Sequence, residues 1–278
     1  MATFSPAQIR SFLERIGIPV AHDGLPAPTA ALLDELHWAH LRAVPFENLD
    51  IVRLNRRIVL DPAALYGKIV GERRGGYCFE VNGLLAAILA DLGFGMTRVM
   101  VQFMEEGELT TAFDHLALLV TVPSEDGRRL ADVGSGGQAF PRPLRLVADV
   151  EQHAPEVDTA YRLTHDGERW TLYIRVGAGD WVPWYVFDET PRALADFAGR
   201  SAFFQDDPSS LFRKGPMATL SRPDGRVTVT GDRLIETVAG VRTERAIAPE
   251  EVDALLASEL GIVLAGHRQD GPSAETAP

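Results

Sequence analysis

The chain has 278 residues, 46% of them hydrophobic, with 39 acidic against 27 basic residues and a formal net charge of −12. That length allows one large domain or two to three small ones, and the acid excess argues against nucleic acid as the main partner, because neutralising a phosphate backbone needs a basic surface. A single cysteine excludes an internal disulfide framework and a cysteine-cluster metal site. The N-terminus has no basic segment leading into an apolar run, and no apolar run is long enough to span a bilayer, so a cytoplasmic protein without a membrane partner is expected. Arginine far outnumbers lysine and alanine is abundant, as in GC-rich bacterial genes.

The first ninety or so residues read as helices. Ser5-Pro6 supplies an N-cap and a first-turn proline for an amphipathic stretch with Ile9, Phe12, Leu13 and Ile16 on one stripe. Thr29 opens a second helix that stops before Pro45, and Asp61-Pro62 opens a third, ended by Gly75-Gly76. A fourth runs from Cys78 to Asp91 and is closed by Gly93. The period then changes to two: 96–104, 115–122 and 128–134 read as strands, 161–176 as a hairpin around Asp166-Gly167, and 181–189 as a further strand. From Pro191 a helix precedes a loop at 205–210, and short strands turn at 223–225 and 231–232. A final helix over 248–262 leads to a tail at 266–278 whose Gly, Ser and Pro content reads as disordered. Helices first and strands afterwards imply an α+β fold.

The one cysteine lies in "RRGGYCFEVNGLL", residues 73–85, where a Gly-rich turn becomes a helix. A lone cysteine is most often a small buried core residue. At a helix N-terminus, however, the free N–H groups and the dipole favour a thiolate, which is the nucleophilic form. A nucleophile needs a base, and the base needs an orienting group. His115 stands at the first position of an apolar strand, where a polar ring has no packing reason, and Asp132 stands in "LADVGSGG" on what reads as a neighbouring strand. His37 and His40, three residues apart on the second helix, have no carboxylate or further histidine at a supporting spacing and read as helix-face or core residues. His22, His153, His165 and His267 read as solvated, and no metal site is expected. The glycines after Asp132 are followed by "QAFPRPLRL", which is not a helix, so a phosphate-binding loop reading fails on context.

Together, "RGGYCFEVNGLL" from Arg74, "VPFENL" from Val44, "HLALLV" from His115 and "DVGSGG" from Asp132 resemble the arylamine N-acetyltransferases. Cys78, His115 and Asp132 are separated by 37 and 17 positions, in the family's order and spacing. The resemblance implies a papain-like three-domain arrangement: an N-terminal helical bundle over 1–93, an antiparallel β-barrel over 94–190 and an α/β lid over 191–265. It implies that Cys78 takes an acyl group from a thioester and passes it to an aryl amine, with His115 moving the proton and Asp132 orienting the imidazole. It also implies that Arg74 pairs with Glu47 as structural support, and that Phe46, Tyr77, Phe113, Ser135 and Phe203 form the substrate pocket. No bound cofactor is expected; acetyl-coenzyme A or a carrier-bound thioester enters as co-substrate, with Arg73, Arg142, Arg145, Arg213 and Lys214 as candidate phosphate partners.

Two positions depart from the family's usual pattern: Ser135 replaces a phenylalanine beside the acceptor pocket, and Asp114 precedes the histidine where threonine is common. The room left by Ser135, and the looser likeness beyond residue 205, also fit the family's amide synthases. These close a macrolactam from a carrier-bound polyketide and its own aryl amine, which would make an acyl carrier protein a partner. The order Cys, His, Asp is shared by papain-like proteases and transglutaminase-type enzymes, and a binding module that has kept the fold is a further alternative; the short spacing and the cysteine stretch favour the acyltransferase.

Overall fold

The computed structural model describes residues 3–20 and 24–264; the expected tail at 266–278, together with His22 and His267, lies outside them. The helices begin where their caps stand. Helix α1 (Pro6–Arg15) follows Ser5, whose hydroxyl accepts from the Gln8 N–H while the Gln8 side-chain oxygen accepts from the Ser5 N–H. Helix α2 (Ala30–Ala43) follows Thr29, whose hydroxyl accepts from the Leu32 N–H. Next come a two-residue strand β1 (Phe46–Glu47), short helices α3 (Leu49–Val52) and α4 (Pro62–Tyr66), and a π turn at Gly67–Gly71. Neither β1 nor α3 has a counterpart in the sequence reading. The third helical segment ends at Gly71 rather than at Gly75-Gly76, which serve a different purpose. A Cβ on Gly75 would sit 1.9 Å from the Pro45 carbonyl oxygen, so only glycine lets the cysteine loop lie against the turn after α2. Helix α5 (Cys78–Asp91) matches the expected span.

Nine strands follow: β2 (Gly95–Glu105), β3 (Glu108–Leu109), β4 (His115–Thr121), β5 (Arg129–Ala131), β6 (Leu144–Arg145), β7 (Glu151–Ala154), β8 (Thr159–His165), β9 (Trp170–Val176) and β10 (Val182–Phe187). They form one antiparallel sheet in the order β6-β5-β4-β2-β10-β9-β8-β7, with β3 paired to β2. The two edge strands meet through one side chain. Gln152 on β7 accepts from the Arg145 N–H at 2.7 Å and donates to the Arg145 carbonyl at 2.9 Å, so the sheet curls into a nearly closed barrel. The strand expected at 128–134 is only three residues long, which leaves Asp132 in the turn beyond it. His153 and His165 are exposed, as expected, but stand on β7 and β8 rather than in loops.

The helix expected from Pro191 divides into a 3-10 turn at Leu194–Phe197 and α6 (Ala198–Asp206). Strands β11 (Met217–Arg222), β12 (Gly225–Thr230), β13 (Arg233–Val238) and β14 (Val241–Ala246) then form a meander covered by α7 (Val252–Leu260). The N-terminal strand β1 joins this second sheet by pairing with β11, Phe46 opposite Thr219. The "PFENL" turn is thereby built into the C-terminal part of the molecule.

Strand β4 explains why its sequence is apolar throughout. Leu116, Leu118 and Val120 pack on the helical core with α5, while Ala117 and Leu119 point into the barrel core with Tyr185 and Phe187. His115 takes the first barrel-side position of that strand, opposite Val101 of β2. Among the described residues, no helix is long and apolar enough to cross a membrane, and no group of three or more His, Cys, Asp or Glu could hold a metal ion.

Candidate active site

Cys78 is the first residue of α5 and is buried. The N–H of Tyr77, just before it, donates to Glu80 Oε2 at 3.1 Å, so the helix start is fixed by its own first-turn carboxylate. That carboxylate belongs to a buried ionic cluster. Lys68 Nζ lies 2.7 Å from Glu80 and 3.0 Å from Asp50, and Arg74 lies 2.7 Å from Glu47 and 3.0 Å from Asp50. The Arg74–Glu47 pair expected from the sequence is therefore present, as part of a larger group. Glu47 also accepts from the Leu49 N–H at 2.7 Å, which ties the cysteine loop to the "PFENL" turn. Arg56 joins from the surface, 3.0 Å from Asp50, and burial, reinforced by Glu47, pushes Glu80 up to about 7 despite Lys68.

His115 Nε2 lies 2.7 Å from Asp132 Oδ2, and both residues are buried. Burial opposes a charged imidazole, but Asp132, then Cys78, more than offset it and raise His115 to about 10. With Nε2 engaged by Asp132, Nδ1 is the nitrogen left to exchange a proton with Cys78, to which His115 is electrostatically coupled. Burial pushes the Cys78 thiol up, and the neighbouring imidazolium pulls it down. The sequence reading expected a lowered thiol; in a group this buried a thiolate forms instead by handing the proton to an adjacent acceptor, which creates no net charge.

Asp132 is held from three further sides. Its Oδ1 accepts from Asn82 Nδ2 at 2.9 Å and from the Gly134 N–H at 2.8 Å, and its own N–H donates to His37 Nε2 at 3.1 Å. Burial pushes His37 down to about 4, so its neutral ring accepts at Nε2 while Nδ1–H donates to the Pro141 carbonyl at 3.3 Å. His37 is thus a core residue with a task, orienting the loop that carries Asp132. Asn82 completes the set by donating to the Leu116 carbonyl at 2.7 Å and accepting from the Val133 N–H at 3.0 Å. It stands one helical turn after Cys78, and the sequence reading missed it. The available signal was an amide in the middle of an apolar helix, four residues after the cysteine.

These groups open onto a cavity of about 590 Å³ lined by Cys78, His115, Phe46, Ser135, Phe203 and Phe212, among others. Gly134 in its wall must be glycine, since a Cβ there would come within 2.7 Å of both Cys78 Cα and Asn82 Nδ2. Two expected pocket residues lie behind the wall. Tyr77 is fully buried with its hydroxyl 2.6 Å from Ser201 Oγ, and Phe113 turns away to pack edge-on against Phe197. Of the candidate phosphate partners, Arg213 and Lys214 directly follow the cavity-lining Phe212, whereas Arg142 and Arg145 line a small pocket on the barrel and Arg73 sits at a left-handed corner of the cysteine loop. A separate cavity of about 450 Å³, between β8–β9 and β12–β13, meets the first at Gly137 and contains none of the three reactive residues.

A family model described as N-acetyltransferase matches residues 29–269. The chain is 38% identical to an arylamine N-acetyltransferase of Mycolicibacterium smegmatis over 229 residues, covering 80% of both chains. It is 36% identical to an arylamine N-acetyltransferase / N-hydroxyarylamine O-acetyltransferase of Salmonella typhimurium, covering 81% of this chain and 79% of that one. Its fold superposes on the solved Salmonella typhimurium arylamine N-acetyltransferase with a TM-score of 0.84 at 32% identity, covering 95% of each chain. The Mycobacterium marinum enzyme solved in complex with CoA gives 0.82 at 32% identity, covering 91% of this chain and 92% of that one. The chain belongs to the arylamine N-acetyltransferase family.

Proposed function

We propose that the protein moves an acetyl group from acetyl-coenzyme A to an aryl amine through an acyl-enzyme on Cys78. The observation that carries this reading is that Cys78 and His115 line one cavity, with the buried Asp132 held 2.7 Å behind His115 Nε2. Cys78 reacts as the thiolate of an ion pair with the His115 imidazolium, which Asp132 stabilises, and Sγ attacks the thioester carbonyl. The backbone N–H of Cys78, at the start of α5, faces the developing oxyanion. The imidazolium returns its proton to the departing thiol. The amine then attacks the acyl-enzyme: the N–C bond forms, the C–S bond to Cys78 breaks with Sγ leaving as thiolate, and His115 accepts the amine proton, which restores the starting pair. Arg74, Glu47 and Glu80 hold the cysteine loop and touch no reacting atom.

The CoA complex of the Mycobacterium marinum relative supports coenzyme A as the carrier, and the position of Arg213 and Lys214 beside Phe212 suits the phosphates of such a donor. The barrel's own buried cluster, from Val99 to Phe187, supports a papain-like division into a helical bundle to about residue 93, a barrel to about 190 and a lid beyond, with Leu194, Phe197 and Phe204 of the last part packed on the helical core. The relatives named above lend no support to an amide synthase or to a carrier-protein partner. Intact-mass measurement tests the reading. Incubation with acetyl-coenzyme A should add one acetyl group to the wild type and none to Cys78→Ser, and an aryl amine should remove it. An acetyl group retained on the serine variant would place the nucleophile elsewhere.

A further inference from the structure

Asp114 directly precedes His115, and its carboxylate faces the same cavity as the thiol. It does not stand alone. Arg200, delivered by α6, places Nε at 2.9 Å and Nη2 at 2.5 Å from one oxygen of Asp114, with both side chains only 17% and 15% exposed. The guanidinium lies over the rings of Phe203 at 4.3 Å and Phe204 at 4.8 Å, so its plane is fixed by stacking as well as by the carboxylate. Helix α6 is itself anchored to the cysteine loop, because Ser201, the next residue, meets the Tyr77 hydroxyl at 2.6 Å. On the other side, Phe113 holds a left-handed φ of 62°, an unfavourable conformation for an aromatic residue, secured by the Phe197 ring and the Arg192 guanidinium. Both halves of the pair are therefore fixed in place beside the reacting groups.

We propose that Arg200 is a positioning residue for the acyl transfer inferred above: by clamping and neutralising Asp114 on the cavity wall, it keeps that carboxylate from opposing the thiolate of Cys78. The inference rests on the reading of Cys78 as the nucleophile. The charged groups around the thiol come from four directions. His115 on β4 and Asp132 beyond β5 form the working pair, the Glu80–Lys68 cluster lies beneath the start of α5, and Asp114 with Arg200 stands across the cavity. Glu105 also lines the cavity but is exposed to solvent, so Asp114 is the largely buried carboxylate there that no proton transfer requires, and burial already works against the thiolate. An unpaired carboxylate there disfavours the thiolate and favours the imidazolium, so both limbs of the ion-pair titration move to higher pH. An unpaired guanidinium moves both limbs down.

The test is the pH profile of alkylation by iodoacetamide, read by intact mass on the full chain, where Cys78 is the one cysteine and every adduct reports on it. Arg200→Met keeps the apolar stem over the two rings and should slow alkylation at pH 7 by about three- to tenfold, moving the profile up. Asp114→Asn should move it down and raise the rate by a similar factor on the rising limb, below the wild-type midpoint. The double variant should return to within about twofold of wild type, a cancellation that lost packing would not produce. If Arg200→Met does not fold, the downward shift in Asp114→Asn alone supports the inference and its absence overturns it. Single variants that shift in the same direction, or leave an activated wild-type profile unmoved, overturn the role of Arg200 while leaving the nucleophile reading intact. A wild-type profile like that of a free thiol overturns the nucleophile reading on which the inference rests.

Discussion

Replacing Asn82 with alanine removes the amide that joins α5 to β4 and to the Asp132 turn, and the consequence can be worked from its bonds. The Val133 N–H, 3.0 Å from Asn82 Oδ1, loses its acceptor in a fully buried site. Such an orphaned donor costs about 1–3 kcal/mol. Asp132 Oδ1 loses the donor at 2.9 Å but keeps the Gly134 N–H at 2.8 Å, and the loss of one charge-assisted bond adds about 1.5–3 kcal/mol. The Leu116 carbonyl loses its donor at 2.7 Å, a smaller matter for an oxygen with two lone pairs. The total is about 3–5 kcal/mol, which for a chain of this size lowers the melting temperature by roughly 6–15 °C. Turnover of an aryl amine should fall about a hundredfold, because Asp132 and the Cys78 helix lose their shared reference point. Asn82→Asp separates hydrogen bonding from bulk. It keeps the acceptor for Val133 but turns an oxygen toward Asp132, so the new carboxyl stays protonated to higher pH. The variant should approach wild-type stability at pH 5 and lose it as the pH rises. Differential scanning fluorimetry and steady-state kinetics on the purified chain decide the matter. An alanine variant within about 2 °C of wild type, with unchanged kcat/KM, would refute this account of the Asp132 turn.

Gly134→Ala should cut activity about a hundredfold, because the added Cβ meets Cys78 Cα at 2.7 Å and displaces the nucleophile, and should cost about 1–3 kcal/mol of stability; full turnover in this variant would mean that the wall can yield. In the ionic cluster under α5, Lys68→Met strands Glu80, while Glu47 and Asp50 keep Arg74, and should destabilise by about 3–5 kcal/mol, whereas Glu80→Gln keeps an acceptor for the Tyr77 N–H and should stay within about 1.5 kcal/mol, both read by urea denaturation. The His115–Asp132 pair has a defined pH window. His115 is raised to about 10, so its contribution is complete below the unfolded value near 6.5 and lost as pH climbs through 10; Asp132 is lowered by His115, against burial, so its share is lost only in acid. The melting-temperature gap between wild type and Asp132→Asn should therefore be widest near pH 6 and narrow toward pH 10, and a widening gap would contradict the pairing. Ser135→Phe should leave acetylation of a small aniline intact while large acceptors lose turnover, since Ser135 lines the open cavity and its Oγ has no partner among the described residues; equal loss on both would mean that Phe203 already occupies the space.

The parts of this fold that could be read from the sequence are those in which one local signal suffices. Ser5-Pro6 and Thr29 name the starts of α1 and α2 through their own hydrogen bonds, and the glycines before Cys78 mark the start of α5. Strand β4 was legible because a run of seven residues bounded by turns is too short for a buried helix. Strands that exist through their partners were not legible. The "EQHA" of β7 has no strand propensity and is held by β8 on one edge and by the Gln152 bridge on the other. The "VRTERA" of β14 is exposed along its whole length and is a strand only because β13 pairs with it. The same division runs through the site. Cys78, His115 and Asp132 are residue types with chemistry at recognisable positions, whereas Asn82 and His37 act by meeting backbone 51 and 95 positions away. Tyr77 and Phe113 enter the expected pocket through the family resemblance, not through a signal of their own. Their direction is set by Ser201 and Phe197, which no reading of positions 77 and 113 contains.

The same bonds indicate where this chain is free to differ from its relatives. Every polar atom that fixes Asp132 is buried and partnered, so a change at Asn82, His37 or Gly134 leaves an orphaned group or a clash directly behind the nucleophile. The opposite wall makes none of these bonds. Ser135, Asp114 and Arg200 line the cavity, Asp114 bonded to Arg200 and Ser135 Oγ without a partner among the described residues, so a change at Ser135 or Asp114 leaves the bonds around Asp132 in place. On the proposed reading, the chemistry is held by the closed side of the site, while the cavity side sets which amine fits and how much charge the thiolate meets. Ser135 and Asp114, the two departures noted in the sequence, both fall on that cavity wall. The physical reading of the departures is a change in selectivity and in the pH range of the nucleophile, with the reaction itself unchanged.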